Sequence, residues 1–242
     1  MATEDKRVFV VSRDDNWLRN SREIVTAIGF SIETFSSFNE LVQGVASYEG
    51  EGCVLIDFAM DNMNSAAMNS RMIEANVALP AVIVVSDSDA SAAKQEIVGI
   101  TFGIILKSIS PTQFRSALEE AFGHQKYVQH QVAVQRNYRR LTNLTERERS
   151  IVDLVVDGAP NKKIATNLGL SIKTIERVRQ SAYRKLDVRS TAEMTKVVIL
   201  GDLHDIVCID RVEHTETDTD STPVIAPLIP PPMGLSRNFV NG

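Results

Sequence analysis

The stretch LTERERSIVDLVVDGAPNKKIATNLGLSIKTIERVRQSAYRKLDVRSTAE, residues 144–193, reads as four short helices joined by tight turns. Thr145 with Glu148 three residues on is a capping box, in which each side chain satisfies an orphan backbone N–H, so a helix starts near Thr145. Ile151, Leu154 and Val155 recur at helical spacing, and Gly158 supplies the left-handed residue that commonly ends a helix. A second helix over Asn161 to Leu168 buries Ile164, Ala165 and Leu168, and Gly169 closes it. After the Leu170-Ser171 turn, Ser171 caps a third helix that runs to about Leu186. Ser190 and Glu193 read as a second capping box, opening a fourth helix through Met194, Val197 and Val198.

The third helix has two unlike faces. Ile172, Ile175, Val178, Ala182 and Leu186 form an apolar stripe, while Lys173, Glu176, Arg177, Gln180 and Arg184 share the other side. An α-helix fits the major groove of B-DNA, where Arg and Gln make bidentate contacts to guanine and adenine and Glu accepts from cytosine. The third helix is therefore the expected reader. Lys162 and Lys173 are expected on phosphates, with Thr174 beside them at the helix start. The fourth helix is expected to pair with a copy of itself through Met194 to Val198. The plainer alternative is a helical interaction domain with a solvated basic face.

These residues resemble the helix-turn-helix of LuxR-type regulators, whose pattern LTxRE, a Gly, NKxIA, S-x-x-T-[VI] and KL-x-V-x-S-x-x-E is present over about fifty residues. Val178 stands where many relatives carry His. The resemblance implies double-stranded DNA as partner and a homodimer as the binding form.

The chain has 242 residues, long enough for two domains, and its apolar fraction of 43% supports packed cores. The net charge of −5 conceals an asymmetry: residues 139–200 hold 13 Lys/Arg against 7 Asp/Glu, whereas residues 1–123 hold 9 against 17. Only the later segment suits a polyanion. Cys53 and Cys208 lie far apart without metal-like or redox-like spacing, and the His residues do not cluster with them. No run approaches the roughly 18 apolar residues of a membrane span. A reduced cytoplasmic protein, neither exported nor anchored, is expected.

From Arg7 to Phe122 short apolar runs alternate with amphipathic segments: Val8–Val11, Ile32–Phe35, Val54–Ile56, Val82–Val85 and Ile104–Leu106. Five such units predict a doubly wound α/β domain, a parallel sheet covered on both faces. In such sheets the working site lies beyond the carboxyl ends of the strands. There the third run ends in Asp57, the fourth in Ser86 and the fifth in Lys107. This set resembles the flavodoxin-like receiver domain of two-component response regulators, which implies Asp57 as phosphoacceptor and a histidine kinase as partner. Together the two halves resemble a FixJ/NarL-type regulator, a binding protein with no catalytic residues rather than an enzyme.

The departures bear on mechanism. The family places two adjacent acids after the first strand to hold Mg²⁺, but here Ser12-Arg13 follow VFVV, and Asp14 and Asp15 come two residues later. Losing such ligands should cost phosphotransfer heavily, because the cation lets a carboxylate and a phosphoryl group approach each other. Ile104 replaces the switch aromatic and Ser108 the Pro after Lys107; Met60 is kept, but Asp61 and Ser65 replace Pro and Gly. The expected receiver site is Ser12, Arg13, Ser86 and Lys107 around Asp57, with Arg13 or Lys107 paired to Asp57. Mg²⁺ is not expected as a standing cofactor; if a metal binds, Asp14 and Asp57 are its ligands. Control would then pass to a ligand, another regulator protein or abundance.

The expected organisation is a receiver-like domain over 1–123, a linker helix over 124–142, the helix-turn-helix domain over 143–201 and a tail over 202–242. Pro111 suits a first helical position, and the apolar pattern Leu118, Phe122, Tyr127, Val128, Val132, Val134 and Tyr138 predicts a long helix, kinked at Gly123. It serves either a short coiled coil between protomers or packing on its own receiver. The acid- and Thr-rich run 213–222 and the prolines 223, 227 and 230–232 predict disorder.

Overall fold

The computed structural model describes residues 6–46, 48–59, 65–90 and 101–204. The described residues fall into two compact units, one up to His130 and one from Gln131 onward.

The first unit is a parallel five-stranded sheet in the order β2-β1-β3-β4-β5, with β1 Arg7–Val11, β2 Ser31–Phe35, β3 Gly52–Asp57, β4 Ala81–Val85 and β5 Thr101–Leu106. All five apolar runs are strands. β3 and β4 are buried at every position, as strands covered on both faces must be, whereas the edge strand β2 is only half-buried. Alternation along the strands sends Val8, Val10, Cys53, Leu55, Val82, Val84 and Ile105 to one side. There they meet Trp17 and Val25 of α1 (Asp15–Ala27) and, across the same core, Phe114, Leu118 and Phe122 of the Pro111–Gly123 helix. The opposite side packs against α2 (Phe38–Val45), which buries Phe38, Leu41 and Val45. Helix α3 spans Ser65–Glu74, and α4 is Pro111–Gly123. Pro111 takes the first helical position behind a Ser110/Gln113 capping box. The helical pattern expected between β4 and β5, the Met60 and Asp61 positions, and the tail beyond His204 lie outside the described residues.

The helical stretch is interrupted at His124, next to the expected kink at Gly123. Helix α4 ends with its cap at His124, and α5 runs from Gln125 to Thr142. Gln125, at the start of α5, is buried and clamps the start of β3: its Nε2 donates to Gly50 O at 2.8 Å, and its Oε1 accepts from Gly52 N–H at 2.9 Å. Val128, Val132 and Val134 are buried.

In the second unit α6 is Glu146–Val156, α7 Asn161–Leu168, α8 Ile172–Leu186 and α9 Thr191–Asp202. Gly169 adopts φ 64°, a left-handed turn that glycine enters without strain. Ile151, Ile164, Ile175, Ala182 and Leu186 are fully buried in one core together with Leu141 of α5. Two expectations are corrected here. Met194, Val197 and Val198 belong to that core and are at most 5% exposed, so they are not a dimer face; the exposed apolar residue of α9 is Ile199. Only half of the second capping box forms: Ser190 Oγ accepts from Glu193 N–H, but the Glu193 carboxylate accepts from the N–H of Arg189, one residue earlier.

Substituting Gln125→Ala would strand the buried N–H donor of Gly52, while the exposed carbonyl of Gly50 would turn to water. A loss of roughly 1–3 kcal/mol is expected, read as a lower denaturant midpoint for the first unit with unchanged helix content.

Candidate functional site: a reader helix and a strand-end carboxylate cluster

Helix α8 is held by contacts that leave one side free. Ser171 caps it, its hydroxyl accepting from Thr174 N–H at 3.1 Å, and the Thr174 hydroxyl is tied to Ser171 Oγ at 2.7 Å. Arg179, in the middle of the helix, donates to Asn161 Oδ1 of α7 at 2.6 Å and reaches Tyr183 OH and Thr191 Oγ1, joining three helices. Near its end, Ser181 and Lys185 converge on Glu148, the buried acid of the α6 capping box. Glu148 Oε1 accepts from Ser181 Oγ at 2.8 Å, and Oε2 accepts from Lys185 Nζ at 2.6 Å and Thr145 N–H at 2.8 Å. Burial alone would push the Glu148 carboxyl up, but Lys185, Thr145 and Ser181 outweigh it and hold its pKa at about 2.

The side chains left over face water. Lys173, Glu176, Arg177, Gln180 and Arg184 are all exposed, and at 3.6 residues per turn they form one row along α8. Lys162, near the start of α7, is exposed as well. Thr174 is half-buried, and its hydroxyl serves the cap. Sequence reading missed Glu148, Arg179 and Lys185 as the braces of the reader; the capping box marked Glu148, but only as a local cap.

At the carboxyl edge of the sheet the strands bring together Ser12, Asp14, Asp57 and Lys107. Asp57, 3% exposed, accepts from Ser12 Oγ at 2.6 Å and from Lys107 Nζ at 2.8 Å, both on Oδ2, and Oδ1 accepts from Ala59 N–H at 3.2 Å. Asp14 caps α1, accepting from Asn16 and Trp17 N–H on Oδ1, and its Oδ2 takes the same Lys107 ammonium at 3.0 Å. The Trp17 N–H and Lys107 hold the Asp14 carboxyl below its usual range. Burial disfavours the Lys107 charge, but the hydrogen bonds to Asp57 and Asp14 outweigh that and raise its pKa.

Two residues expected in this cluster make side-chain hydrogen bonds to other partners. Arg13 is exposed, and its Nε donates to Ser36 O at 3.2 Å beyond β2. The cation against Asp57 is Lys107. Ser86 donates to Asp89 Oδ2 at 2.5 Å and shares a hydrogen bond with Ser88, while Ser108 donates to Asp87 at 2.9 Å.

For Mg²⁺ the donor set is poor. A hydroxyl follows β1 where a ligand acid would serve, the ammonium of Lys107 joins the two carboxylates, and no group of three or more His, Cys, Asp or Glu residues suits a metal among the described residues. The residues do not fit the ion.

The four-helix unit with an exposed reader row is a DNA-binding helix-turn-helix domain: residues 142–198 match the family model described as bacterial regulatory proteins, luxR family. Along most of its length the chain is similar to transcriptional regulators. It is 28% identical over 199 residues to the transcriptional regulatory protein TdiR of Thauera aromatica, covering 81% of this chain and 87% of that one. It is 24% identical over 198 residues to the transcriptional regulatory protein FixJ of Rhizobium meliloti, covering 81% and 97%. Full-length FixJ from B. japonicum is a similar solved structure, with 20% identity, a TM-score of 0.44, and coverage of 83% of this chain and 99% of that one. No described helix is long and apolar enough to cross a membrane.

Because the Glu148 pKa is depressed in the folded state, its contribution is present above the ordinary value of 4.5 and is lost as pH falls toward about 2. Wild-type stability of the helical unit should drop through that window. Glu148→Gln should be less stable at neutral pH by roughly 1–3 kcal/mol and flatter between those pH values, as followed by urea unfolding.

Proposed function

We propose that the chain is a sequence-specific, double-stranded-DNA-binding transcription regulator of the response-regulator type, cytoplasmic, and bound to its operator as a homodimer. The observation that carries this reading is the exposed row Lys173, Glu176, Arg177, Gln180 and Arg184 on a helix fastened by Ser171, Arg179 and Lys185. The positive balance of residues 139–200 and the transcription-regulator names of its relatives support it. In this reading residues 1–123 are a receiver-like domain, 124–142 a linker, 143–201 the DNA-binding domain and 202–242 a tail. One reader helix covers only a few base pairs, so two copies should occupy half-sites about 10 base pairs apart.

The receiver-like domain works without an ordinary Mg²⁺-dependent phosphorylation cycle. Asp57 already accepts three hydrogen bonds, and its nearest cation is shared with Asp14. Another regulator protein or a ligand, rather than a phosphoryl group, sets the state. The second reading is a conventional regulator phosphorylated on Asp57 by a histidine kinase; the Asp57–Lys107 pair at the strand ends favours it.

Arg177→Ala or Gln180→Ala should cost about 1–3 kcal/mol on the best duplex and relax preference at one base pair. Lys162→Ala or Lys173→Ala should weaken all duplexes alike and reduce the salt dependence. Titrations of matched and scrambled duplexes distinguish the two patterns, and equal affinity for every duplex would end the sequence-reading proposal. Incubation with a small-molecule phosphodonor and Mg²⁺ should leave mass and operator affinity unchanged. Stoichiometric modification at Asp57 with a large affinity change would restore the second reading.

A further inference from the structure

Among the described residues three large apolar side chains are exposed: Leu168, Ile172 and Ile199. Ile172 alone stands on the reader helix. It would complete the apolar stripe of α8, yet burial of that stripe begins only at Ile175, and Ile172 is 47% exposed in the first helical turn. At 3.6 residues per turn it lies about 40° from Glu176, on the border of the polar row.

A recognition helix presents its N-terminal residues to base edges. In the major groove the apolar feature of a base edge is the 5-methyl group of thymine. The neighbouring groups leave Ile172 free for that contact: Thr174 is engaged in the cap, and Lys173 and Glu176 are exposed on the polar side. A β-branched side chain in a helix holds one strongly preferred rotamer, so packing its methyls on a base costs little further ordering.

We infer that Ile172 is a specificity-determining residue that packs on the 5-methyl group of a thymine in each half-site, beside the base pair addressed by Glu176. The inference rests on the DNA-reading role proposed above and adds an apolar contact to its polar row. It accounts for an isoleucine left in water at the border of the exposed polar row of α8.

The test uses the full chain. Duplexes are selected from a random pool, and each thymine of a selected duplex is then replaced in turn by deoxyuridine, which removes only the methyl group. In each half-site one replacement should weaken binding roughly three- to five-fold, as losing one buried methyl does. Ile172→Ala should bind the thymine and deoxyuridine duplexes equally, with wild-type melting, and Ile172→Val should keep most of the discrimination. The inference is overturned if no thymine is sensitive, if Ile172→Ala retains the full penalty, or if it weakens selected and scrambled duplexes alike. A pool that yields no preferred sequence removes the DNA-reading role itself, and this inference with it; preferred sequences without a methyl effect remove only the assignment of Ile172.

Discussion

A carboxylate taken out of water costs several kcal/mol unless its oxygens are paired, and each unit of this protein is built around one. Asp57 is 3% exposed and Glu148 7% exposed. Each is saturated by donors from separate parts of its unit: Ser12 after β1, Ala59 and Lys107 after β5 around the first, and Thr145, Ser181 and Lys185 around the second. These requirements set positions that apolar packing leaves loose. Apolar contacts tolerate sliding and rotation, whereas a buried anion accepts donors only within hydrogen-bond distance.

In the helical unit this constraint orients the reader. Lys185 and Ser181 bind Glu148, Arg179 binds Asn161, and the apolar side sinks Ile175, Ala182 and Leu186 into the core. Rotation of α8 about its axis would break all of these at once. The side that none of them uses is therefore held outward, so the row of Lys, Glu, Arg and Gln stands on a rigid element rather than on a loop. In the α/β unit the same constraint turns polar side chains inward: Asp57 Oδ2 accepts from both Ser12 and Lys107, and Lys107 is divided between Asp57 and Asp14.

Much of this was legible because it depends on neighbours in the chain. Capping at Thr145 and Ser171, the closing Gly169, the five apolar runs, and the strand-end positions of Asp57 and Lys107 all follow from local spacing. The errors share a cause. Ile172 has the angle of the core stripe but not its burial, because helical period does not say where the neighbouring helices stop covering it. Met194, Val197 and Val198 face the unit's own core rather than solvent, and period alone does not say which apolar side is already occupied. Arg13 and Ser86 follow strands at the same carboxyl edge, and which partner each side chain takes, Ser36 O for one and Asp89 for the other, is not set by that position.

The sequence by itself determined the order and kind of the elements, since capping, period and turn residues act over a few positions where the chain cannot choose its neighbours. Tertiary structure alone decided which polar and charged side chains meet. Ser12 and Asp57 are 45 residues apart, Asp14 and Lys107 are 93 apart, and Glu148 and Lys185 are 37 apart. Such pairs form when the parallel sheet and the four-helix packing bring separate element ends together. Their energies depend on burial and on distance to within an ångström, quantities that no local pattern of residues encodes.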